Sequence, residues 1–222
     1  MKQSVLAVNN LNISVQERLL IKSLSFVISD GSLTCITGDN GVGKTTLIKT
    51  LLRSVETKNE QIDFSVKKSD IQLVPQFRDI DDEYPLRIQD FVALSLQKGM
   101  LPWLKKEEKI RLKRVLSDTN LTDIANESLG RASGGEKQRA YLAQALITDP
   151  RLLILDESTA NLDKKSRHIL LALVKTIIKN KSLAVIFITH DPELVDLFGD
   201  YELHIENKTG TFKKLTGEDA DV

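Results

Sequence analysis

The chain has 222 residues with 31 basic and 31 acidic side chains, so its formal net charge at pH 7 is zero. A chain of this length can bury one substantial core, while the balanced charge produces no overall field that favours nucleic acid or an anionic membrane. The longest apolar runs are far shorter than the ~18 residues needed to span a bilayer, and no secretory signal pattern opens the sequence. The single cysteine, Cys35, cannot form an intrachain disulfide. We therefore expect a soluble, intracellular protein.

Short runs of β-type residues open the chain at 4–8, 11–15 and 24–28, separated by polar turns. An antiparallel sheet is their simplest arrangement. The apolar run 33–37 predicts a buried strand, and a helix follows from Thr46 to about Ser54. Further strands are indicated at 62–64 and at 71–74, where Pro75 ends the run.

Residues 76–132 change character, because 88–96 and 106–117 are typical of amphipathic helices, with Gly99 and Pro102 between them. We interpret this region as a helical insertion. Alternation returns after Ser133, with helices predicted at 135–147, 164–180 and 192–198 and strands at 152–155 and 183–188. A final hairpin is predicted from 201–206 and 211–215, turning around Thr209-Gly210.

These elements predict an α/β fold: one domain over residues 1–222 with a parallel sheet, an N-terminal antiparallel β subdomain and a helical insertion. Residues of about 1–75 and 133–222 form the core and β subdomain in this prediction, and about 76–132 form the helical subdomain.

A glycine-rich loop joins the buried strand at 33–37 to the helix after it. Glycines at this spacing let backbone N–H groups turn toward a phosphate, and the helix N-terminus adds partial positive charge. Lys44 can reach the β- and γ-phosphates and the Thr45 hydroxyl can ligate Mg²⁺, so the loop predicts a nucleoside triphosphate site. The loop consists of Gly38, Asp39, Asn40, Gly41, Val42, Gly43, Lys44, Thr45 and Thr46.

Polar side chains also follow two other predicted strands, Asp156 and Glu157 after one and His190 after the next. Because parallel strands present their carboxyl ends at one edge, these groups should converge on the loop. Asp156 can hold Mg²⁺ opposite Thr45, Glu157 can deprotonate the attacking water, and His190 can contact the γ-phosphate. The alternatives are a polar strand terminus for the carboxylates and an ordinary turn residue for the histidine.

The chain resembles the ATP-binding cassette (ABC) ATPases in six segments that occur in the family's order. Besides the loop, the acidic strand end and His190, residues 132–139 (Ala-Ser-Gly-Gly-Glu-Lys-Gln-Arg) resemble the family's signature, residues 158–163 its D-loop, and Gln76 its Q-loop glutamine. The resemblance implies an Mg²⁺-dependent ATPase that works as a head-to-tail dimer with two ATP molecules between the subunits.

In that dimer the resemblance assigns the signature residues Ser133, Gly134, Gly135 and Glu136 to the ATP of the opposite subunit, and Asp163 to the D-loop. It implies that Gln76 senses Mg²⁺ and connects to the helical insertion; otherwise Gln76 is a loop amide. Ser133-x-x-Glu136 is also a capping box, which needs no ligand, and both roles can hold.

Three positions depart from the family pattern; one of them, Ser158 in place of the usual proline after Glu157, should have little effect. Val15 stands where an aromatic ring usually stacks on adenine, so we expect weak stacking at this ATP-binding position. Glu136 replaces a glutamine and would repel phosphates if it faced them, whereas the capping role would direct it elsewhere.

A single cassette of this length resembles the nucleotide-binding subunit of a transporter. The resemblance implies a transmembrane permease docked on the helical insertion, a position at the inner face of the membrane, and a solute-binding protein as a further partner. Residues 74–92 are similar to zinc/manganese and metal-chelate importer cassettes. Groove contacts or packing within the insertion are the two alternatives for Tyr84, Leu86, Phe91 and Val92.

The alternative function is a soluble ABC ATPase that regulates a ribosomal or nucleic-acid process without a membrane partner. Such proteins usually carry paired cassettes, long coiled coils or basic extensions, which this sequence lacks. A non-hydrolysing nucleotide-binding module conflicts with the presence of Glu157 and His190. We therefore expect an ATP-hydrolysing transporter subunit with no nucleic-acid partner.

Overall fold

A computed structural model describes residues 3–57, 59–75, 85–96, 104–157, 159 and 162–215. The strands in these ranges are β1 Ser4–Val15, β2 Arg18–Ser29, β3 Leu33–Thr37, β4 Ile62–Phe64, β5 Ile71–Val74, β6 Leu152–Asp156, β7 Ala184–Ile188, β8 Tyr201–Glu206 and β9 Thr209–Lys214. The α-helices are α1 Lys44–Ser54, α2 Ile88–Ala93, α3 Lys106–Asp118, α4 Gly134–Leu146, α5 Lys164–Asn180 and α6 Pro192–Phe198. Among these helices, none combines the length and apolar character needed to cross a membrane.

The central sheet has six strands in the order β5-β6-β7-β3-β8-β9. All neighbouring pairs are parallel except β8 and β9, which form an antiparallel hairpin at one edge. Every residue of β3 and β7 is buried, because helices or the second sheet cover both faces. The α/β prediction is confirmed, with a mixed sheet in place of a purely parallel one.

Alternate residues of the buried strands contribute to two apolar clusters on opposite faces of this sheet. Cys35 and Phe187 belong to the cluster that contains residues of α2 to α6. Ile36 and Ile186 belong to the other cluster, which contains α1 and the N-terminal sheet. The period-two alternation of side chains along a strand produces this division.

The N-terminal sheet has the order β2-β1-β4 and is antiparallel, as predicted. The three short runs predicted over residues 4–28 are wrong in detail, since the chain forms two strands of 12 residues each. Between the second and third runs Gln16 and Glu17 form a turn, but between the first two Asn10 lies at a bulge of β1, has a φ of 51° and donates its N–H to Ser25 Oγ at 2.9 Å. Side-chain hydrogen bonds therefore replace missing ladder bonds where the sequence suggested turns.

The final hairpin turns at Asn207-Lys208, and the turn predicted at Thr209-Gly210 is wrong. Both turn residues have positive φ, 49° and 63°, as a two-residue type I′ turn requires. Gly210 lies inside β9, where an added Cβ would approach Leu24 Cδ1 to 2.2 Å. The glycine thus serves close packing of the hairpin on the N-terminal sheet.

The helices α2 and α3 pack into the main core. Phe91 and Val92 of α2 are buried, and Phe91 stacks edge-on against Tyr141 of α4 with ring centroids 5.1 Å apart. Packing, one of the two alternatives for these residues, is therefore what the structure shows. Tyr84 lies outside the described residues, and the division into a core and a helical subdomain stays a prediction.

Phe187 at the centre of the sheet offers a test of the core. Its side chain is completely buried, so Phe187→Ala should lower the free energy of unfolding by about 3–5 kcal/mol through lost transfer energy and a cavity. Leu73→Ala, on edge strand β5 and 40% exposed, should cost less than about 1 kcal/mol. Urea unfolding followed by circular dichroism measures both, and equal losses would contradict this account of the core.

Candidate nucleotide site

The phosphate loop, residues 38–46, begins in close contact with β8. Gly38 has a φ of 131°, and a Cβ built on it would lie 2.2 Å from the carbonyl oxygen of Ile205. Because that obstacle is backbone, no other residue fits without displacing the strand. The fold therefore requires a glycine at the start of the loop, whatever the loop binds.

Lys44 connects the two ends of the loop. Its side chain is buried, and Nζ donates hydrogen bonds to the carbonyl oxygens of Gly38 at 2.6 Å and Asp39 at 3.0 Å. Lys44 is also the first residue of α1, whose N-cap, Gly43, supplies no side-chain hydrogen bond. The first N–H groups of this helix thus have no side-chain cap and suit an anion.

A cavity of about 170 Å³ brings Glu157 together with the loop, as the sequence predicted for the strand ends. Its lining residues are Leu20, Asn40, Gly41, Gly43, Lys44, Thr45, Thr46 and Glu157. Glu157 has a φ of 45°, so the chain turns sharply as soon as β6 ends. Positive φ in a bulky residue is uncommon and often marks a functional position.

Asp156 is the last residue of β6 and is half-buried. Burial and then the neighbouring Glu157 raise the pKa of the Asp156 carboxyl, while Lys49 and Lys44 act in the opposite direction. Asp156 does not line the 170 Å³ cavity, although it pairs with Ile188 of β7 at the same sheet edge. Its role in holding Mg²⁺ stays a prediction.

His190 lies beside the start of the loop. It is exposed and lines a cavity of about 370 Å³ together with Gly38, Asp39 and Asn40. Asn40 also lines the Glu157 cavity, so the two candidate catalytic groups flank the loop in neighbouring cavities. The structure brings His190 to the loop, but in a different cavity from Glu157.

A third cavity of about 430 Å³ extends from the loop toward the β1–β2 hairpin and is lined by Arg18, Leu19, Leu20, Asn207, Lys208 and residues 39–42. It shares Leu20, Asn40 and Gly41 with the Glu157 cavity, so the two cavities are adjacent. No sequence pattern predicts Arg18 and Lys208 at this site, since their proximity depends on the pairing of distant strands. Val15 is 46% exposed and lines none of these three cavities; its contact with ATP stays a prediction.

The predicted capping box is present at the start of α4. Ser133 N donates to Glu136 Oε2 at 2.8 Å, and Glu136 N donates to Ser133 Oγ at 3.4 Å. Hydrogen bonds from the Ser133 side chain and backbone lower the pKa of the Glu136 carboxyl. The carboxylate is thus bound to its own helix end, while Ser133 and Gly134 are exposed.

The start of α5 packs against the start of α4. Asp163 is the N-cap of α5, where its Oδ1 accepts the N–H of Ser166 at 3.0 Å and its Oδ2 accepts the Ser166 hydroxyl at 2.6 Å. A Cβ on Gly135 would lie 2.9 Å from that hydroxyl oxygen, so this close packing accounts for the glycine without a ligand. Gln76, Ser158, Ala160 and Asn161 lie outside the described residues.

Residues 21–160, from β2 through the signature to the D-loop segment, match the sequence model of the family described as ABC transporter. The chain belongs to the ABC transporter family. It is an ATPase subunit of that family, which binds and hydrolyses ATP to power transport. The expected family and its ATPase activity are confirmed.

Similar proteins support this assignment. The zinc import ATP-binding protein ZnuC of Halorhodospira halophila is 30% identical over 86% of this chain and 69% of its own length. A probable metal transport system ATP-binding protein of Thermotoga maritima is 29% identical over 86% of this chain and 77% of its own length. A metal-chelate type ABC transporter solved in an inward-facing conformation superposes with a TM-score of 0.83 at 26% identity, covering 96% of this chain and 84% of that one.

The capping carboxylate provides a test through pH. Because folding lowers the pKa of Glu136 below its ordinary value of 4.5, ionised Glu136 stabilises the fold above that pH, and this contribution is lost as the pH falls through the folded-state pKa. Urea unfolding of Glu136→Gln should therefore differ most from wild type near neutral pH and converge with it in acid. The exposed Glu60→Gln is the matched control; a pH-independent difference would contradict the role of the charged cap.

Proposed function

We propose that this ABC ATPase powers the import of a divalent transition-metal ion, with zinc as the first candidate. The proposal is supported by relatives whose names specify zinc or metal transport and by the metal-chelate type transporter among the similar structures. The ATPase part of the proposal rests on the cavity that is lined by Lys44 and Thr45 of the phosphate loop and by Glu157.

The residues of this cavity divide the chemistry of hydrolysis among them. Lys44 and the N-terminus of α1 bind the β- and γ-phosphates, where they oppose the negative charge that develops during transfer. Glu157 orients the attacking water and accepts its proton. His190, from the neighbouring cavity, contacts the γ-phosphate.

Thr45 and Asp156 are the residues that would hold Mg²⁺, and their hard oxygen atoms suit that ion. No group of three or more His, Cys, Asp or Glu side chains within the described ranges could hold a metal ion by itself. This fits Mg²⁺, which takes few protein ligands and relies on substrate phosphates and water. When bound, the ion neutralises phosphate charge, and Gln76 is its proposed sensor.

A head-to-tail dimer is the proposed working form. Ser133 and Gly134 are exposed at the N-terminus of α4, and the capping contact keeps the Glu136 carboxylate on its own helix. Exposed N–H groups at a helix start suit the phosphate of a second subunit's ATP. Asp163 binds Ser166, and Ser166 packs against Gly135 of the signature segment, so Asp163 would lie beside that segment.

The proposed membrane partner is a permease that docks near α2 and α3 and holds the ATPase at the inner face of the membrane, with a solute-binding protein as a further component. Leu94, after α2, and Ile110, on α3, are 45% and 59% exposed and are candidate contacts. Phe91 and Val92 are buried and so serve packing.

Glu157→Gln tests the catalytic assignment. Loss of the general base should reduce ATP turnover by about 10²–10⁴-fold while leaving ATP binding intact, and should trap an ATP-bound dimer. Phosphate release, nucleotide titration and size-exclusion chromatography with ATP measure the three effects. Glu56→Gln, at an exposed carboxylate paired with Lys68, is the control; wild-type turnover in Glu157→Gln would refute the assignment.

Transport requires a second experiment in the source cell. Tagged protein from detergent-solubilised membranes should co-purify with a polytopic membrane protein, whereas recovery with ribosomes would favour the soluble alternative. Deletion should impair growth when zinc is scarce, added zinc should restore it, and a gene carrying Lys44→Ala should not. A deletion strain that grows normally under zinc limitation would argue against zinc as the solute.

A further inference from the structure

A polar cluster of Thr37, Glu202 and His204 lies where β3 ends and the phosphate loop begins. Thr37 Oγ1 is 2.7 Å from Glu202 Oε1 and 2.8 Å from His204 Nδ1. Thr37 and His204 are register partners of the parallel pair β3–β8, and Glu202 stands two residues earlier on the same face. None of the three lines the cavity that contains Lys44 and Glu157.

The protons of this cluster follow from its geometry. The Thr37 hydroxyl has one hydrogen, and Glu202 as a carboxylate only accepts, so the hydroxyl donates to Glu202. The remaining contact then requires His204 Nδ1 to carry a hydrogen and donate it to Thr37 Oγ1. The Thr37 hydroxyl thus donates one hydrogen bond and accepts another, and the two bonds together fix its side-chain rotamer.

The carboxylate at the centre of the cluster is held in its charged form. Burial raises the pKa of the Glu202 carboxyl, but hydrogen bonds from Thr37 and Lys213 outweigh that effect and leave the pKa below its usual value. Lys213 Nζ of β9 is 2.9 Å from Glu202 Oε2, and the Glu202 side chain is only 13% exposed. Hydrogen bonds to a charged, partly desolvated acceptor are stronger than those between neutral groups.

The cluster adjoins the most constrained point of the phosphate loop. Thr37 directly precedes Gly38, whose missing side chain leaves room for the Ile205 carbonyl oxygen. The hairpin β8–β9 therefore contacts the start of the loop at two points. The Ile205 carbonyl packs against Gly38, and the side chains of Glu202 and His204 bind the Thr37 hydroxyl. Thr37, Glu202 and His204 also line the 370 Å³ cavity with Gly38 and His190.

We propose that Glu202, with His204, is a positioning residue for nucleotide binding: through the Thr37 hydroxyl it fixes the direction in which the chain leaves β3 and enters the phosphate loop. The inference rests on the proposed nucleotide site. A loop ordered before binding loses less conformational entropy when ATP arrives. Since that gain applies equally to bound substrate and to the transition state, it acts on KM and not on kcat.

The experiment compares Thr37→Val, which keeps the shape but removes the hydroxyl, with Thr37→Ser, which keeps the hydroxyl. Glu202→Gln removes the charge at nearly constant shape. Thr37→Val and Glu202→Gln should each raise KM for MgATP roughly tenfold, the scale of a hydrogen bond to a charged group, with kcat within about twofold. Thr37→Ser should recover most of the affinity, and the Thr37→Val/Glu202→Gln double variant should be no weaker than either single variant.

Glu206→Gln is the matched control, because Glu206 is on the same strand and 3.8 Å from His204 Nε2 but is exposed. It should leave KM within about twofold of wild type. Equal KM values for Thr37→Val and Thr37→Ser, or additive losses in the double variant, would overturn the positioning role. Wild-type protein that does not hydrolyse MgATP would instead overturn the proposed function. Thermal unfolding identifies a variant that fails to fold. If Thr37→Val does not fold, the KM of Glu202→Gln decides whether the positioning role stands.

Discussion

The parallel pairing of β3 with β7, and of β7 with β6, is the constraint on which the site depends. It places the carboxyl ends of three buried strands at one sheet edge, where the phosphate loop, Glu157 and His190 follow directly. The strands are largely apolar because both of their faces are covered, and most of the polar chemistry therefore begins where they end. The buried core and the position of the site at one sheet edge are both consequences of this strand pairing.

Several residues with proposed nucleotide roles also have structural roles that need no ligand. Gly38 makes room for a strand carbonyl, Gly135 makes room for Ser166, and Glu136 caps its own helix. Since each packing demand would select the same residue type, the presence of these residues alone does not show that ATP contacts them. For Glu136 the structural role also resolves a conflict, because the cap binds a carboxylate that would otherwise repel phosphate.

The sequence was most informative where local chemistry and periodicity agreed. The bounds of β3, α5 and α6 match the predictions, because continuous apolar strands, clear helical periodicity and the Asp191-Pro192 start define them locally. It failed at Asn10 and at Gly210, where polar or flexible residues suggested turns but neighbouring strands stabilised bulges and close packing instead. Strand pairing supplied hydrogen bonds and contacts that no local pattern reveals.

The order of the phosphate loop, the acidic strand end and the signature identified the family, since these short segments carry their chemistry in consecutive residues. Tertiary structure alone placed Arg18 and Lys208 near the loop and Glu202 on Thr37, and put His190 and Glu157 in separate cavities. The reason is physical. A one-residue change of register would turn the strand residues Arg18, Thr37 and Glu202 to the opposite face, and register depends on pairing between segments far apart in sequence.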